Sequence, residues 1–189
     1  MPYEPPPELA ALSLGEIAEL VANRKLPAVE GWAPQREGDS EMRIAADGKW
    51  YHRGGEITRA AMVRAFSTLL ARDDASEGVG GQHWLVSPFE KLTITVDDAA
   101  FIAVDMRVAE GNLAFRLNTD EFVVAGPDHP IRAAGDHDVP ALYLAVRRGC
   151  EARLNRSTYE QLIQHALELG DEPLAVESGG VRFSLAPAA

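Results

Sequence analysis

Asp128-His129 and Asp136-His137-Asp138 bring two imidazoles and three carboxylates into one connection of the chain. Side chains of these types ligate divalent cations, and a bound cation would supply an activated water for hydrolysis. Their spacing matches no closed zinc pattern, and Asp and His beside Pro and Gly are ordinary turn residues, so no metal site is expected. Gly78-Val79-Gly80-Gly81 lacks the Lys-Ser/Thr of a phosphate loop and leads into a strand, which makes it a connector. The sequence has no Gly-x-Ser-x-Gly elbow, and Ser178-Gly179-Gly180 reads as a hairpin turn between Ala175-Val176 and Val181 to Phe183. Cys150 follows Arg147-Arg148 and precedes Glu151, but no base is paired with it, so it is expected to be a small buried hydrophobe. Without a spaced acid, base and nucleophile, no catalytic residue is assigned and no cofactor is called for.

The remaining candidates are mostly basic. Arg59 and Arg156 hold matching first-turn positions of two expected helices, where main-chain N–H groups attract anions and a guanidinium assists. Arg43 and Lys91 are the other basic residues that chain order brings toward the meeting point of two similar modules. Arg116, Asn118 and His129 complete the candidate ligand-binding set. Arg116 has a competing structural role, because a hairpin closed at Gly111-Asn112 is expected to set Asp105 opposite it as a cross-strand ion pair. Lys91, after Pro88-Phe89-Glu90, either pairs with neighbouring acids or points toward that meeting point.

Lys and Arg number 18 against 29 Asp and Glu, a net charge of -11. Such a chain repels phosphate backbones, and its basic residues are scattered, adjacent only at Arg24-Lys25 and Arg147-Arg148, so neither nucleic acid nor an anionic membrane is an expected partner. Two or three local arginines still suffice for one small anion. The single cysteine removes any intramolecular disulfide, the first residues lack the basic region and apolar run of a signal peptide, and no run of about 18 apolar residues occurs. A cytoplasmic location is expected.

These side chains need elements to position them. Pro5-Pro6-Pro7 reads as a polyproline tail. Ser13 and Glu16 stand at capping-box spacing, with Leu12 and Ile17 as a hydrophobic staple, before a helix whose Leu14, Ile17, Leu20 and Val21 share a face and which Pro27 ends. Trp32 is expected to plug a core. Met42, Ile44 and Ala46 alternate as a strand, Asp47-Gly48 is a two-residue hairpin turn, Lys49 to His52 returns, and Gly54-Gly55 turns again. Thr58 then caps a helix with Met62, Phe66, Leu69 and Leu70 on one face. Later, Ala141 to Val146 forms a strand, Gly149 turns, and Leu154-Asn155-Arg156 stands where Ile57-Thr58-Arg59 stood. Asn155 caps a helix that buries Tyr159, Leu162, Ile163, Ala166 and Leu167 and ends at a left-handed Gly170. "KLTITV", "FIAVDMRV" and "LAFRLN" alternate as an antiparallel meander, followed by one more strand and a long loop broken by Pro and Gly.

The fold expected is α+β, with duplicated hairpin-helix-strand modules around antiparallel sheet. Residues 1-26 form the N-terminal tail and helix, 27-90 an N-terminal module with little sheet of its own, and 91-189 a C-terminal antiparallel meander plus helix module.

"LPAVEGW", "MRIAADGKWYHRGGEITRAAMVRAFSTLL", "LVSPFEKLTITVDDAAF", "FVVAGPDHPIR" and "SGGVRFSL" resemble successive landmarks of a bacterial family, domain-of-unknown-function family 1285. They cover most of the chain from Pro27 to Leu185. The resemblance implies a duplicated core, a C-terminal half superficially like pleckstrin-homology folds, and a nucleotide-like ligand at the junction of the modules in a signalling role. "NTDEF" departs from the Gly-Asp expected after the third meander strand, at Asn118 to Glu121. Together these readings give a non-enzymatic ligand-binding or signalling module holding a small anionic, nucleotide-like ligand at the junction. The alternatives are a small metal-dependent hydrolase using the 128-138 loop, and a protein-interaction domain that meets a protein partner through its sheet edges.

Overall fold

The computed structural model describes residues 11–24, 29–73, 81–136 and 140–186. The polyproline tail, Pro27, Gly78 to Gly80, His137 and Asp138 lie outside the described residues. The chain divides into two compact units, Met1–Asp98 and Ala99–Ala189.

In the first unit, α1 (Leu14–Ala22) opens on the expected capping box. The Ser13 hydroxyl accepts the Glu16 N–H at 3.3 Å, and the Glu16 carboxylate accepts the Ser13 N–H at 2.8 Å. Trp32, after a short 3₁₀ turn at Val29–Gly31, is buried as expected. β1 (Arg36–Ile44) buries Ser40, Met42 and Ile44 in alternation and pairs with β2 (Trp50–His52). Their turn is one residue longer than the expected pair: Ala45 donates to Lys49 at 2.9 Å and Gly48 to Ala45 at 2.8 Å. Within that loop Gly48 alone takes a positive φ, +82°, whereas a two-residue primed turn needs two such residues. β3 (Gly55–Glu56), α2 (Ala60–Ser67), β4 (Leu70–Arg72), β5 (His83–Val86) and β6 (Glu90–Val96) follow. Trp50 stacks on Phe66 with centroids 6.3 Å apart, and Ile44, Leu69, Leu70, Leu85 and Ile94 are fully buried in the same unit.

The second helix is shorter than expected, and one strand lies elsewhere than expected. Leu69 and Leu70 leave the helix, which ends at Ser67, and Leu70 begins β4; an apolar pair at helical spacing serves equally as the start of a buried strand. "KLTITV" is no part of a central meander. It is β6, parallel to β1 and antiparallel to β5, so the segment before Glu90 contributes to a six-stranded sheet of order β3-β2-β1-β6-β5-β4. Alternation identifies a strand but not its partner.

The second unit comprises β7 (Phe101–Ala109), β8 (Asn112–Leu117), β9 (Phe122–Val124), β10 (Ile131–Gly135), β11 (Pro140–Arg147), β12 (Cys150–Leu154), α3 (Arg156–Leu169), β13 (Ala175–Ser178) and β14 (Val181–Ser184). Its main sheet runs β10-β11-β12-β7-β8-β9, and only β12 and β7 are parallel. β10 occupies part of the expected long loop; as an edge strand it tolerates the preceding Pro130. Asn155 caps α3 by accepting the Thr158 N–H at 2.9 Å, and Gly170 closes it at φ +77°, both as expected. Leu167, expected inside, is 58% exposed, because the buried stripe runs through Thr158, Leu162 and Ala166 instead.

The chain is α+β in two similar halves, and the strand orders carry the similarity. If the strands of each unit are counted from one to six, both sheets read 3-2-1-6-5-4, with the first and last strands parallel and all other neighbours antiparallel. α2 lies between the third and fourth strands of its sheet, whereas α3 follows the sixth. The second unit's counterpart to the α2 connection is therefore the turn from Gly126 to His129, and the matched sequences before α2 and α3 are out of phase with the repeated sheets. That turn is clamped by the β13–β14 hairpin. The buried Ser178 hydroxyl accepts the Leu113 N–H at 2.9 Å and donates to the Ala125 carbonyl at 2.7 Å. Gly179 sits at φ +57°, where a Cβ would lie 2.9 Å from the Gly126 Cα.

Candidate functional site

Arg43 projects from β1 beside Tyr51 on β2, its guanidinium 6.0 Å from the ring. It makes a two-pronged contact with Asp97, with Nε to Oδ1 at 2.9 Å and Nη2 to Oδ2 as the second prong. That hydrogen-bonded pair raises the Arg43 pKa and lowers that of Asp97. Lys91 on β6 faces Glu37 on β1 in the parallel register, and the two charges are 3.0 Å apart. The Lys91 ammonium also lies 4.3 Å from the Trp84 ring centroid, and the Trp84 indole donates to Asp73 at 2.7 Å. Both cations already hold carboxylates.

The candidates of the second unit serve the fold. Arg116 does stand opposite Asp105, across a turn formed by Glu110 and Gly111, both at positive φ, instead of Gly111-Asn112. The expected ion pair is replaced: Arg116 lies 3.6 Å from Asp120, and Asp105 accepts from the Gln161 side chain at 3.3 Å and the Met106 N–H at 3.0 Å. Asn118 closes the ladder on β7, accepting the Ile102 N–H at 3.0 Å through its side chain and donating its own N–H to Ile102 at 2.8 Å. His129 and Gly126 exchange main-chain hydrogen bonds of 3.1 Å, and the His129 Nδ1 sits 3.1 Å from the Ala145 carbonyl. Among the described residues no three His, Cys, Asp or Glu side chains converge as metal ligands. Cys150 is buried, as expected.

Arg59 differs from the other five. It occupies the cap position of α2 in extended conformation, φ −76° and ψ 104°, with no side-chain cap bond. Thr58, the expected cap, stands one residue too early. Ile57 still donates to Trp50 of β2 at 2.8 Å, and the Arg59 carbonyl takes the first helical bonds, from Met62 at 2.9 Å and Val63 at 3.1 Å. The N–H groups of Ala60 and Ala61 have no intrahelical acceptor by the geometry of a helix start. The Arg59 side chain is exposed and makes no ion pair among the described residues. At the matching position Arg156 is tied to Glu160 at 2.9 Å, a hydrogen bond that raises its pKa.

Sequence reasoning missed a half-buried pair, Arg147 with Glu121. The Arg147 Nη2 donates to Glu121 at 3.0 Å, the Thr119 hydroxyl donates to the same carboxylate at 3.2 Å, and the guanidinium lies 5.0 Å from the Phe101 ring centroid. Burial pushes the Glu121 carboxyl up, but the Arg147 hydrogen bond and charge outweigh it and leave its pKa below the ordinary value. The adjacent Arg147-Arg148 was the one available hint; Glu121, 26 residues away, gave none.

Comparison with known proteins adds a family. Residues 27–99 match the N-terminal domain, and residues 100–185 the C-terminal domain, of a domain of unknown function, DUF1285. The chain is similar to the crystal structure of a DUF1285 family protein from Silicibacter pomeroyi DSS-3, with 35% identity over 90% of this chain and 95% of that one, at a TM-score of 0.71. It is similar in fold to a DUF1285 family protein from Shewanella baltica OS155, with 23% identity over 65% of this chain and 90% of that one, at a TM-score of 0.52. No curated protein matches the chain. Among the described residues no helix is long and apolar enough to cross a membrane.

Proposed function

For this chain, which belongs to the DUF1285 family, we propose a non-enzymatic ligand-binding role in signalling, in which the first unit takes a small phosphate-bearing anion of the nucleotide class at the start of α2. The observation that supports this reading is the open helix start: N–H groups without a side-chain cap, beside an exposed guanidinium that holds no carboxylate among the described residues. Helix starts carry partial positive charge, and a guanidinium offers a phosphate two parallel donors. Arg43 and Lys91 are poorer partners, since an incoming phosphate has to displace Asp97 or Glu37 from them. The net charge of -11 is no obstacle to one local contact.

A thermal-shift panel of inorganic phosphate, nucleotides and related phosphates at millimolar concentration tests the reading. A ligand present at about 100 times its dissociation constant adds roughly 2.7 kcal/mol of stability and raises the midpoint by several degrees. Arg59→Ala removes the shift and leaves the midpoint of the unliganded protein nearly unchanged; Lys91→Ala keeps the shift. A panel with no stabiliser overturns the reading, and a shift indifferent to Arg59→Ala moves it away from α2.

A further inference from the structure

β9 is an edge strand with β8 on one side only. Leu117 donates to Glu121 at 2.8 Å and Ala125 to Leu113 at 2.9 Å, which fixes the hydrogen-bonding phase of the β8–β9 pair. Val123, opposite Phe115, shares that phase, so both its main-chain groups face β8. The N–H and C=O groups of Phe122 and Val124 therefore face away from the sheet. Their side chains stand on the exposed face of the sheet: Phe122 is 59% and Val124 49% exposed, against 8% for Val123. The edge thus combines open main-chain donors and acceptors with an apolar surface.

We propose that this edge pairs with β9 of a second copy of the chain, antiparallel about a two-fold axis through Val123. In that register Phe122 of each copy faces Val124 of the other, and each facing pair exchanges both its N–H···O=C bonds. Every outward main-chain group of Phe122 and Val124 is then used. A slip of one residue sets Val123, whose groups face β8, against an outward-facing residue, and a slip of two leaves part of the edge unpaired. Side chains agree with the same register, because Phe beside Val is a favourable cross-strand pair. The charges agree too: the carboxylates next to the strand, Asp120 and Glu121, are held within each copy by Arg116 and Arg147, so the seam sets no free acids against each other. The apolar edge covers on the order of 200 Å² of side-chain surface per copy, short of the roughly 800 Å² per partner of a stable complex. The dimer is accordingly weak and concentration-dependent.

Sedimentation velocity of the full chain from roughly micromolar to millimolar concentration, with hydrogen exchange over the same range, tests this. The weight-average mass rises toward the dimer at the upper end, and exchange at the Phe122 and Val124 amides slows with concentration while Val123, already bonded to β8, does not change. Phe122→Lys removes the apolar pair. Val124→Pro removes an outward N–H without touching a β8 bond. Each variant is expected to weaken self-association by about tenfold or more, the equivalent of about 1.4 kcal/mol, with a thermal midpoint close to that of the parent chain. A monomer throughout the range overturns the proposal and leaves the edge to an extended segment of another protein. A dimer indifferent to both substitutions also overturns it.

Discussion

At the start of α3, Asn155 accepts the Thr158 N–H and Arg156 is tied to Glu160; at the start of α2, Arg59 stands at the cap position and its side chain makes no cap bond and, among the described residues, no ion pair. The two stretches match in sequence, with an apolar residue, a capping type and an arginine. What separates them is where the helix begins. Asn155 caps α3 directly although its own N–H still donates to Ala103 of β7 at 3.0 Å, whereas α2 begins one residue later in its stretch, after Ile57 has paired with β2, and leaves Arg59 at the cap position. One residue of phase converts a closed helix start into an open one. The two helices also occupy non-equivalent places in the repeat: α2 connects the third and fourth strands of its sheet, and α3 follows the sixth.

The strongest test of this contrast lies in the second unit's counterpart of the α2 connection, which the β13–β14 hairpin clamps. Ser178→Ala orphans the buried Leu113 N–H and removes a donor from the Ala125 carbonyl, with an expected cost of about 1–3 kcal/mol in denaturant titration. A neutral result would mean that the turn is held without the clamp. Next in size, Asn155→Ala is expected to cost about 0.5–2 kcal/mol.

The Glu121–Arg147 pair adds a pH dependence. The folded-state pKa of Glu121 lies below its ordinary value, so the pair contributes stability above the unfolded carboxyl's pKa, near 4.3, and loses it as pH falls through the lower folded value. Urea midpoints at neutral and acid pH are expected to differ less in Glu121→Gln than in the parent chain. An unchanged pH dependence would remove the pair from the account of acid stability.

Features set by neighbours in sequence were legible. The Ser13–Glu16 box, the Asn155 cap, the Gly170 close and the Gly179-Gly180 turn each depend on a few consecutive residues with distinct conformational needs. Partners set by sheet pairing were not. The parallel pairs β1/β6 and β12/β7 are long-range, and they decide that Lys91 meets Glu37. The same holds for Arg43 with Asp97, 54 residues apart. Without the register, these cations looked available for an anion; with it, both are committed. Arg59 is the candidate left without an acid among the described residues, which no local pattern displays.

The smallest expected effects test the α2 start itself. Thr58 makes no cap bond, so Thr58→Ala is expected to be neutral within about 0.5 kcal/mol. Arg59→Asn places a capping side chain where α2 has none, and the extended φ and ψ of that position suit such a residue. It is expected to add about 0.5–1 kcal/mol of stability, the mirror image of the Asn155→Ala loss. The same substitution removes the guanidinium and gives the open N–H groups an internal acceptor, so the phosphate-dependent thermal shift is expected to disappear as stability rises. A helix start that gains stability while losing its ligand effect would identify the missing cap as part of the binding device. Retention of the full shift in Arg59→Asn would show instead that neither the guanidinium nor the open start takes the anion, and would remove the functional distinction between the two helices.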